Sequence, residues 1–161
     1  MSGVPSYNRD TLDLIFEQVK DAPEKQFHDV EALDAKYVPV FAAASIILSV
    51  GALITPTRGG AWPTVFLAAA LGIYFVMAVV SLVHLRPISM RGSRYGDTLW
   101  DDFKDDPPEV VKLGIVLKIK DDYAHNNRLI KEKAQTLDLG LFLTALEAIC
   151  VAAAVLASRL G

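Results

Sequence analysis

Apolar residues are gathered along this chain into three long blocks, separated by polar segments. The blocks cover approximately residues 37–55, 61–85 and 137–157. Each block has about 19 to 25 residues, and an α-helix needs about 20 apolar residues to cross the ~30 Å hydrocarbon core of a bilayer. The pattern therefore predicts an all-α membrane protein with three transmembrane helices.

The polar segments also carry helical patterns. Residues 9–21 place apolar side chains at i, i+3, i+4 and i+7, which predicts an amphipathic helix that ends near Pro23. The next stretch repeats this spacing and continues without a break into the first span, where Pro39 is a predicted kink. Pro107 and Pro108 suit a helix start, and we expect one long helix from there into the third span.

The distribution of positive charge predicts the orientation. The turn between the first two blocks holds a single cation, Arg58, whereas most other cations lie before the first block and between the second and third. The positive-inside rule then places the N-terminus in the cytoplasm and the C-terminus outside. We expect cytoplasmic helices over 1–36, a transmembrane hairpin over 37–85, a cytoplasmic sensor and gate region over 86–136, and a third transmembrane helix over 137–158. Tyr37 and Trp62, at span ends, are predicted interfacial aromatics.

Composition narrows the function classes. Apolar residues make up 52% of the chain, and the net charge is −3, so a nucleotide contact would depend on a local basic patch. The single cysteine, Cys150, excludes an intrachain disulfide and a cysteine metal site. The sequence has no phosphate-binding glycine loop, nucleophile elbow or HExxH motif. We therefore expect no enzyme, no metal site and no cofactor.

One carboxylate, Glu147, lies near the middle of the third block. A charge at the centre of a bilayer costs on the order of 3 kcal/mol on insertion scales, so we expect Glu147 to have a function. On a helix, Glu147 shares a face with small and partly polar residues, namely Gly140, Thr144, Val151, Ala154 and Ser158. We expect this face to line a hydrated pore where several copies meet, with Glu147 favouring cations.

Two other interpretations of Glu147 stay open. The carboxyl is protonated or bonded to a hydroxyl of Ser45, Ser49 or Ser81, and so holds the helices together. Alternatively, it belongs to a relay for protons or a substrate.

The exposed stripes of the thin amphipathic helices need a partner, and we expect another copy of this chain. A tetramer is the predicted homo-oligomer, because small channel-like assemblies close as rings.

Two groups of cations are candidates for phosphate recognition. The first follows the second span and contains Arg86, Arg91 and Arg94. The second lies on the long helix and contains Lys118, Asn127, Arg128 and Lys131, with Asn126 beside them. Each has a plainer interpretation: the first as an orientation signal that contacts anionic lipid, the second as a solvated helix face.

Four short motifs carry a resemblance. They are "ALDAKYVPVFAAASIIL" at the first span, "SLVHLRP" after the second, "GDTLWDDF" beyond it, and "NNRLIKEKAQTLDLGLFLTALE" leading into the third. Together with the order of the parts, they resemble the small membrane effectors of bacterial antiviral defence, the SLATT (SMODS- and SLOG-associating two-transmembrane) and Pycsar-effector group. The matching positions are Lys36, Arg86, Trp100, Phe103, Asn127 and Lys131.

The resemblance implies a protein of the bacterial inner membrane. Such effectors respond to a nucleotide or oligonucleotide signal from a partner nucleotidyltransferase or cyclase, and then breach the membrane as an ion-channel-like pore. Trp100 and Phe103 would anchor the gate or a partner. The alternative function is a non-conducting membrane anchor for a soluble partner protein.

Overall fold

A computed structural model describes residues 9–55, 60–91 and 105–160. About 90% of these residues are helical, and none of them lies in a strand. The helices are α1 (Arg9–Val19), α2 (Ala22–Ile54), α3 (Ala61–His84) and α4 (Pro108–Leu160). The predicted all-α class is confirmed for the part of the chain that the structure describes.

The described residues contain three helical stretches that are long and apolar enough to cross a membrane, and they end with α2, α3 and α4. α2 is continuous over 33 residues and α4 over 53, as the uninterrupted patterns predicted. α4 begins at Pro108. Proline fits the first position of a helix, because an N–H there has no partner within the helix and its loss costs no hydrogen bond. The chain therefore has the helices of a membrane protein.

The chain divides into two compact units. One unit lies within Met1–Val30 and Ile88–Lys131, and we call it the polar unit. The other lies within Glu31–Pro87 and Glu132–Gly161, and we call it the apolar unit. Both α2 and α4 contribute residues to each unit.

In the polar unit, α1 packs on the start of α4 through one buried leucine, Leu12, and two ion pairs. Arg9 lies 2.6 Å from the carboxylate of Glu109, and the second pair is Lys112 with Asp13, also at 2.6 Å. All four charged side chains are well exposed. Exposed pairs of this kind each stabilise a fold by less than about 1 kcal/mol.

A buried amide network gives the polar unit its most specific contact. Asn126 accepts a hydrogen bond from the backbone N–H of Arg91 (3.0 Å) and donates to the carbonyl of the same residue (2.9 Å). It also donates to the side-chain oxygen of Gln26 (3.2 Å), whose own amide donates to the carbonyl of Tyr123 (3.1 Å). These bonds attach the segment after α3 to α4. They also give the buried side-chain amides of Asn126 and Gln26 the hydrogen-bond partners that buried polar groups require.

In the apolar unit, the buried positions recur every seven residues. They are Tyr37, Ala44 and Gly51 on α2, Pro63, Ala70, Met77 and His84 on α3, and Gly140, Glu147 and Ala154 on α4. A seven-residue repeat indicates helices that cross at a shallow angle of about 20°. Five of these ten residues are glycine or alanine, which lets the helix backbones approach closely, as in membrane helix bundles.

Large apolar side chains of the apolar unit point outward. Leu53, Phe75 and Ile149 are 85%, 69% and 65% exposed. In water this would be costly, because apolar surface is stabilised by burial. Small residues inside and large apolar residues outside suit a lipid solvent.

Contacts within the apolar unit set the helix directions. Gly51 faces Val151, and Tyr37 faces Gly140, so these parts of α2 and α4 run parallel. On α3, Tyr37 contacts Ser81, whereas Ser45, further along α2, contacts Tyr74, earlier on α3, so α3 runs antiparallel to both. Tyr37 is only 1% exposed. Its prediction as an interfacial aromatic was wrong, because hydropathy locates the end of a span but not the direction of a side chain.

Candidate functional site

Glu147 lies inside the apolar unit. Its side chain is completely buried, and neither carboxyl oxygen has a hydrogen-bond partner among the described residues. About 15 Å of helix separates it from Leu137, at the start of the predicted span, which puts it near the middle of that span. An unpaired ionised carboxylate in such surroundings costs far more free energy than the neutral acid, so this packing suits the protonated group.

The helices are in close contact on both sides of Glu147. A Cβ added at Gly51 would lie 2.3 Å from Cγ1 of Val151, four residues after Glu147. A Cβ added at Gly140, seven residues before it, would lie 3.0 Å from the Tyr37 ring. A side chain at Gly51 would displace Val151, and one at Gly140 would require the Tyr37 ring to move by a few tenths of an ångström.

The structure brings the predicted pore-lining residues together on one face of α4. Gly140, Val151 and Ala154 are buried there with Glu147, and the other two, Thr144 and Ser158, are half-buried. Contacts of this face are made with α2 and α3 of the same chain, for example between the Thr144 hydroxyl and the sulfur of Met77 (3.4 Å). That these residues line a pore between copies stays a prediction. Such a pore requires α2 and α3 to move away from this face of α4.

The hydroxyl-bonded interpretation of Glu147 is not realised in this structure. Ser45, Ser49 and Ser81 each donate to the carbonyl four residues earlier in their own helix, at 3.0, 2.6 and 2.7 Å. Ser45 also contacts the hydroxyl of Tyr74 (3.1 Å) and Ser81 that of Tyr37 (3.3 Å), and none of the three serines bonds to Glu147.

A cluster of ionisable side chains lies at one end of the spans. Lys133 donates to the carboxylate of Asp34, and Nε2 of His84 lies 3.3 Å from the same oxygen. This last contact lies within the distance of an ion pair but is not a hydrogen bond, and neither ring nitrogen of His84 has a hydrogen-bond partner among the described residues. Lys133 and His84 are almost fully buried, whereas Asp34 is partly exposed. The cluster therefore connects the interior of the apolar unit with its surface.

Tyr37 continues this cluster inward. Its ring stacks on the imidazole of His84, with centroids 4.0 Å apart and planes 17° apart. Its hydroxyl accepts a hydrogen bond from Ser81 (3.3 Å) and lies 3.2 Å from the Cβ position of Gly140. Sequence reasoning missed Asp34, Lys133 and the role of Tyr37, because their meeting depends on the parallel alignment of α2 with α4.

The first cationic group is only partly described. Arg86 and Arg91 are exposed, and the backbone of Arg91 is held by Asn126. Arg94 and the predicted anchors Trp100 and Phe103 lie outside the described residues.

The second cationic group does not share one face of α4. Asn127 and Lys131 are on the same side of the helix, while Lys118 is about 180° away from Asn127 around the helix axis. Arg128 and Lys131 are exposed. Asn126, which the sequence placed beside these residues, is 1% exposed and belongs to the core of the polar unit.

The chain matches no protein-family model, no curated protein and no solved structure. The class that the structure defines is a helical protein with three helices able to cross a membrane. Its distinguishing feature is the carboxyl group buried between those helices.

Proposed function

We propose that the protein provides a gated ion path across the membrane and that Glu147 is the central charged group of this path. The observation that carries the proposal is the fully buried carboxyl, whose oxygens have no hydrogen-bond partner within the part of the chain that the structure describes. Ionisable residues inside membrane helices are costly and are characteristic of ion pathways and proton relays. A purely structural carboxyl would be expected to have a hydroxyl or amide partner.

In this proposal, the packed structure is the closed state and holds Glu147 as the neutral acid. Opening turns the face of α4 that contains Gly140, Thr144 and Glu147 toward a water-filled axis between copies, four in the predicted assembly. Water then ionises the carboxyl, and a ring of carboxylates favours cations. A signal opens the path only if it binds the open state more tightly than the closed state.

The resemblance to the SLATT and Pycsar-effector group extends the proposal to a biological role. The protein then acts in the bacterial inner membrane, with its N-terminus in the cytoplasm, as an effector of antiphage defence. A nucleotide or oligonucleotide from a partner nucleotidyltransferase or cyclase is the signal, and loss of the membrane potential is the outcome. Exposed Arg86, Arg91 and Lys131 are candidates to contact its phosphates.

Membrane potential in bacterial cells that express the chain tests the proposal, with and without a co-expressed nucleotidyltransferase or cyclase. Glu147→Gln is the test variant, and Asp138→Asn is the matched control, because Asp138 is an exposed carboxylate on the same helix. We expect the signal to depolarise cells that carry the wild type or the control but not Glu147→Gln. Equal depolarisation by all three proteins would exclude Glu147 from the path.

A second candidate function is a non-conducting anchor for a soluble protein. The polar unit favours it, because Leu14, Leu117 and Tyr123 are large side chains that are 63%, 52% and 47% exposed. Trp100 and Phe103 are further predicted anchors. An anchor predicts no ion flux under any condition and a stable complex with a different protein after purification. Leu14→Ser would then reduce recovery of that partner.

A further inference from the structure

The imidazole of His84 is buried at the C-terminal end of α3 without a hydrogen bond. Its side chain is 0% exposed, and neither ring nitrogen has a hydrogen-bond partner among the described residues. A buried polar group normally has at least one partner, so this histidine is unusual. Its ring is nonetheless held in place, because it stacks on Tyr37 with the centroids 4.0 Å apart. The packing therefore fixes the ring and leaves its two nitrogen atoms unused.

Two basic side chains share one carboxylate oxygen beside this ring. Lys133 from α4 donates to Oδ1 of Asp34, and Nε2 of His84 lies 3.3 Å from the same atom. Lys133 and His84 are both buried, and Asp34 supplies one negative charge to the two of them. While the imidazole is neutral, the charges of Lys133 and Asp34 balance. A positive charge on His84 would have no carboxylate of its own.

We infer that His84 is a pH sensor at this end of the spans: when it binds a proton, α4 separates there from α2 and α3. The protonated ring carries a positive charge and an N–H donor on each nitrogen. In the packed structure neither donor would have an acceptor, and the charge would lie close to the Lys133 ammonium. Water around His84 in a separated state removes both penalties, so acid favours separation.

The other titratable groups do not produce this response. Carboxyl groups ordinarily titrate near about pH 4 and lysine near about pH 10, so a change from pH 7.5 to pH 5.5 acts mainly on histidine. Glu147 acts in the opposite sense, because acid keeps its carboxyl neutral and so favours its buried position. The chain has three histidines, and the other two, His28 and His125, belong to the polar unit.

The sensor goes beyond the proposed ion path and does not depend on it. Separation of α4 from α2 and α3 is the movement that the proposed gate requires, so acid adds a second way to open it. With the predicted orientation, His84 lies at the cytoplasmic end of its span, and the input is acidification of the cytoplasm. The helix packing should respond to pH whether or not ions pass.

Spin labels on α2 and α4 measure the separation directly. Ala35→Cys and Leu139→Cys place them at two exposed positions, next to Asp34 and Gly140, in a Cys150→Ala background. Pulsed electron–electron resonance on the full chain in lipid nanodiscs gives the distance between the labels at pH 7.5 and at pH 5.5. A second, longer distance should appear in acid. The ratio of separated to packed molecules should rise about tenfold, because a histidine in water binds its proton near about pH 6.5, between the two values.

Two substitutions in the labelled protein remove the titrating group. His84→Phe keeps an aromatic ring to stack on Tyr37, and His84→Gln keeps a polar side chain. Both should give the same distances at the two pH values. His125→Gln is the matched control, because it removes a half-buried histidine of the polar unit, and it should respond to acid like the wild type. Circular dichroism checks that each variant is folded, and either His84 variant alone decides the test.

A label distance that acid does not change in the wild type would overturn the inference. So would an acid response that survives the loss of His84 or is abolished by His125→Gln. The potential measurement separates this inference from the proposed function. Depolarisation that depends on Glu147, with a label distance insensitive to pH, retains the gated path and rejects the sensor. Separation in acid without any depolarisation that depends on Glu147 retains the sensor and rejects the gated path.

Discussion

Two aspartate–lysine pairs, one in each unit, allow a direct comparison. Asp13 pairs with Lys112 in the polar unit and Asp34 pairs with Lys133 in the apolar unit, and both pairs are separated by 99 residues along the chain. The Lys112 side chain is 39% exposed, whereas that of Lys133 is 6% exposed. The lysine of the pair is therefore in contact with water in the polar unit and is packed between helices in the apolar unit.

The comparison shows that environment, rather than residue type, decides what an ion pair does. In water the attraction is screened, and the loss of one partner leaves the other solvated. Inside a packed unit, the loss of one partner leaves a charge without compensation. The polar unit therefore derives its specificity from the amides of Gln26 and Asn126, and the apolar unit from glycine contacts and a few buried ionisable groups.

The largest effect is expected when the buried pair is broken. Asp34→Ala leaves Lys133 buried without a counter-charge and should lower the free energy of unfolding by about 3 kcal/mol. Asp13→Ala, the matched change in the polar unit, should lower it by less than about 1 kcal/mol. SDS titration of the purified protein in mixed micelles measures both. Equal losses would show that the two environments do not differ.

The amide network provides the next largest test. Asn126→Ala removes three hydrogen bonds, to the buried Gln26 side chain and to the part-buried backbone of Arg91, at an expected cost of about 2 to 3 kcal/mol. Asn127→Ala, at the adjacent and less buried position, is the control and should cost little. Amide hydrogen exchange at residues 88–91 should accelerate in the first variant only. Unchanged protection there would contradict the attachment of this segment to α4.

Glycine contacts in the apolar unit are tested by adding one carbon. Gly51→Ala places a methyl group against Val151 and should cost about 2 kcal/mol through overpacking. Gly72→Ala is the control, because nothing lies within 4 Å of its Cβ position, and alanine favours a helix by about 0.5 to 1 kcal/mol over glycine. Adding Val151→Ala to Gly51→Ala should restore part of the lost stability. A neutral Gly51→Ala would mean that α2 and α4 are not held this closely.

The smallest effect belongs to the exposed pairs of the polar unit. Arg9→Gln should weaken the attachment of α1 by less than about 1 kcal/mol at low salt, and the difference from wild type should vanish at high salt. Hydrogen exchange of the α1 amides at two salt concentrations measures this. A difference that persists at high salt would indicate a contribution other than charge.

Much of the fold followed from local pattern. Periodicity predicted α1, and the lengths of the apolar blocks predicted the helices able to span a membrane. The uninterrupted patterns predicted that α2 and α4 would each join a polar and an apolar stretch. These features depend on neighbours within a few turns of one helix, which the sequence contains directly.

The candidate site was predicted only in part. Glu147 and the small face around it could be identified because the residues lie three or four apart on one helix. Tyr37 and Asn126 were misplaced, since neither hydropathy nor charge tells which way a side chain points when its helix is flanked on two sides. The pairing of Asp34 with Lys133 had no local signal, because 99 residues separate them.

The sequence by itself determined which stretches are helical, which helices can cross a membrane and which one contains a carboxylate. Helix formation and apolar length are local properties, so no partner is needed to predict them. Only the tertiary structure decided that Glu147 faces the other spans of its own chain, that Asp34, His84 and Tyr37 meet at one end, and that glycines set the distance between α2 and α4. Those features arise from the register between helices, which is fixed by shape complementarity among residues far apart in the chain.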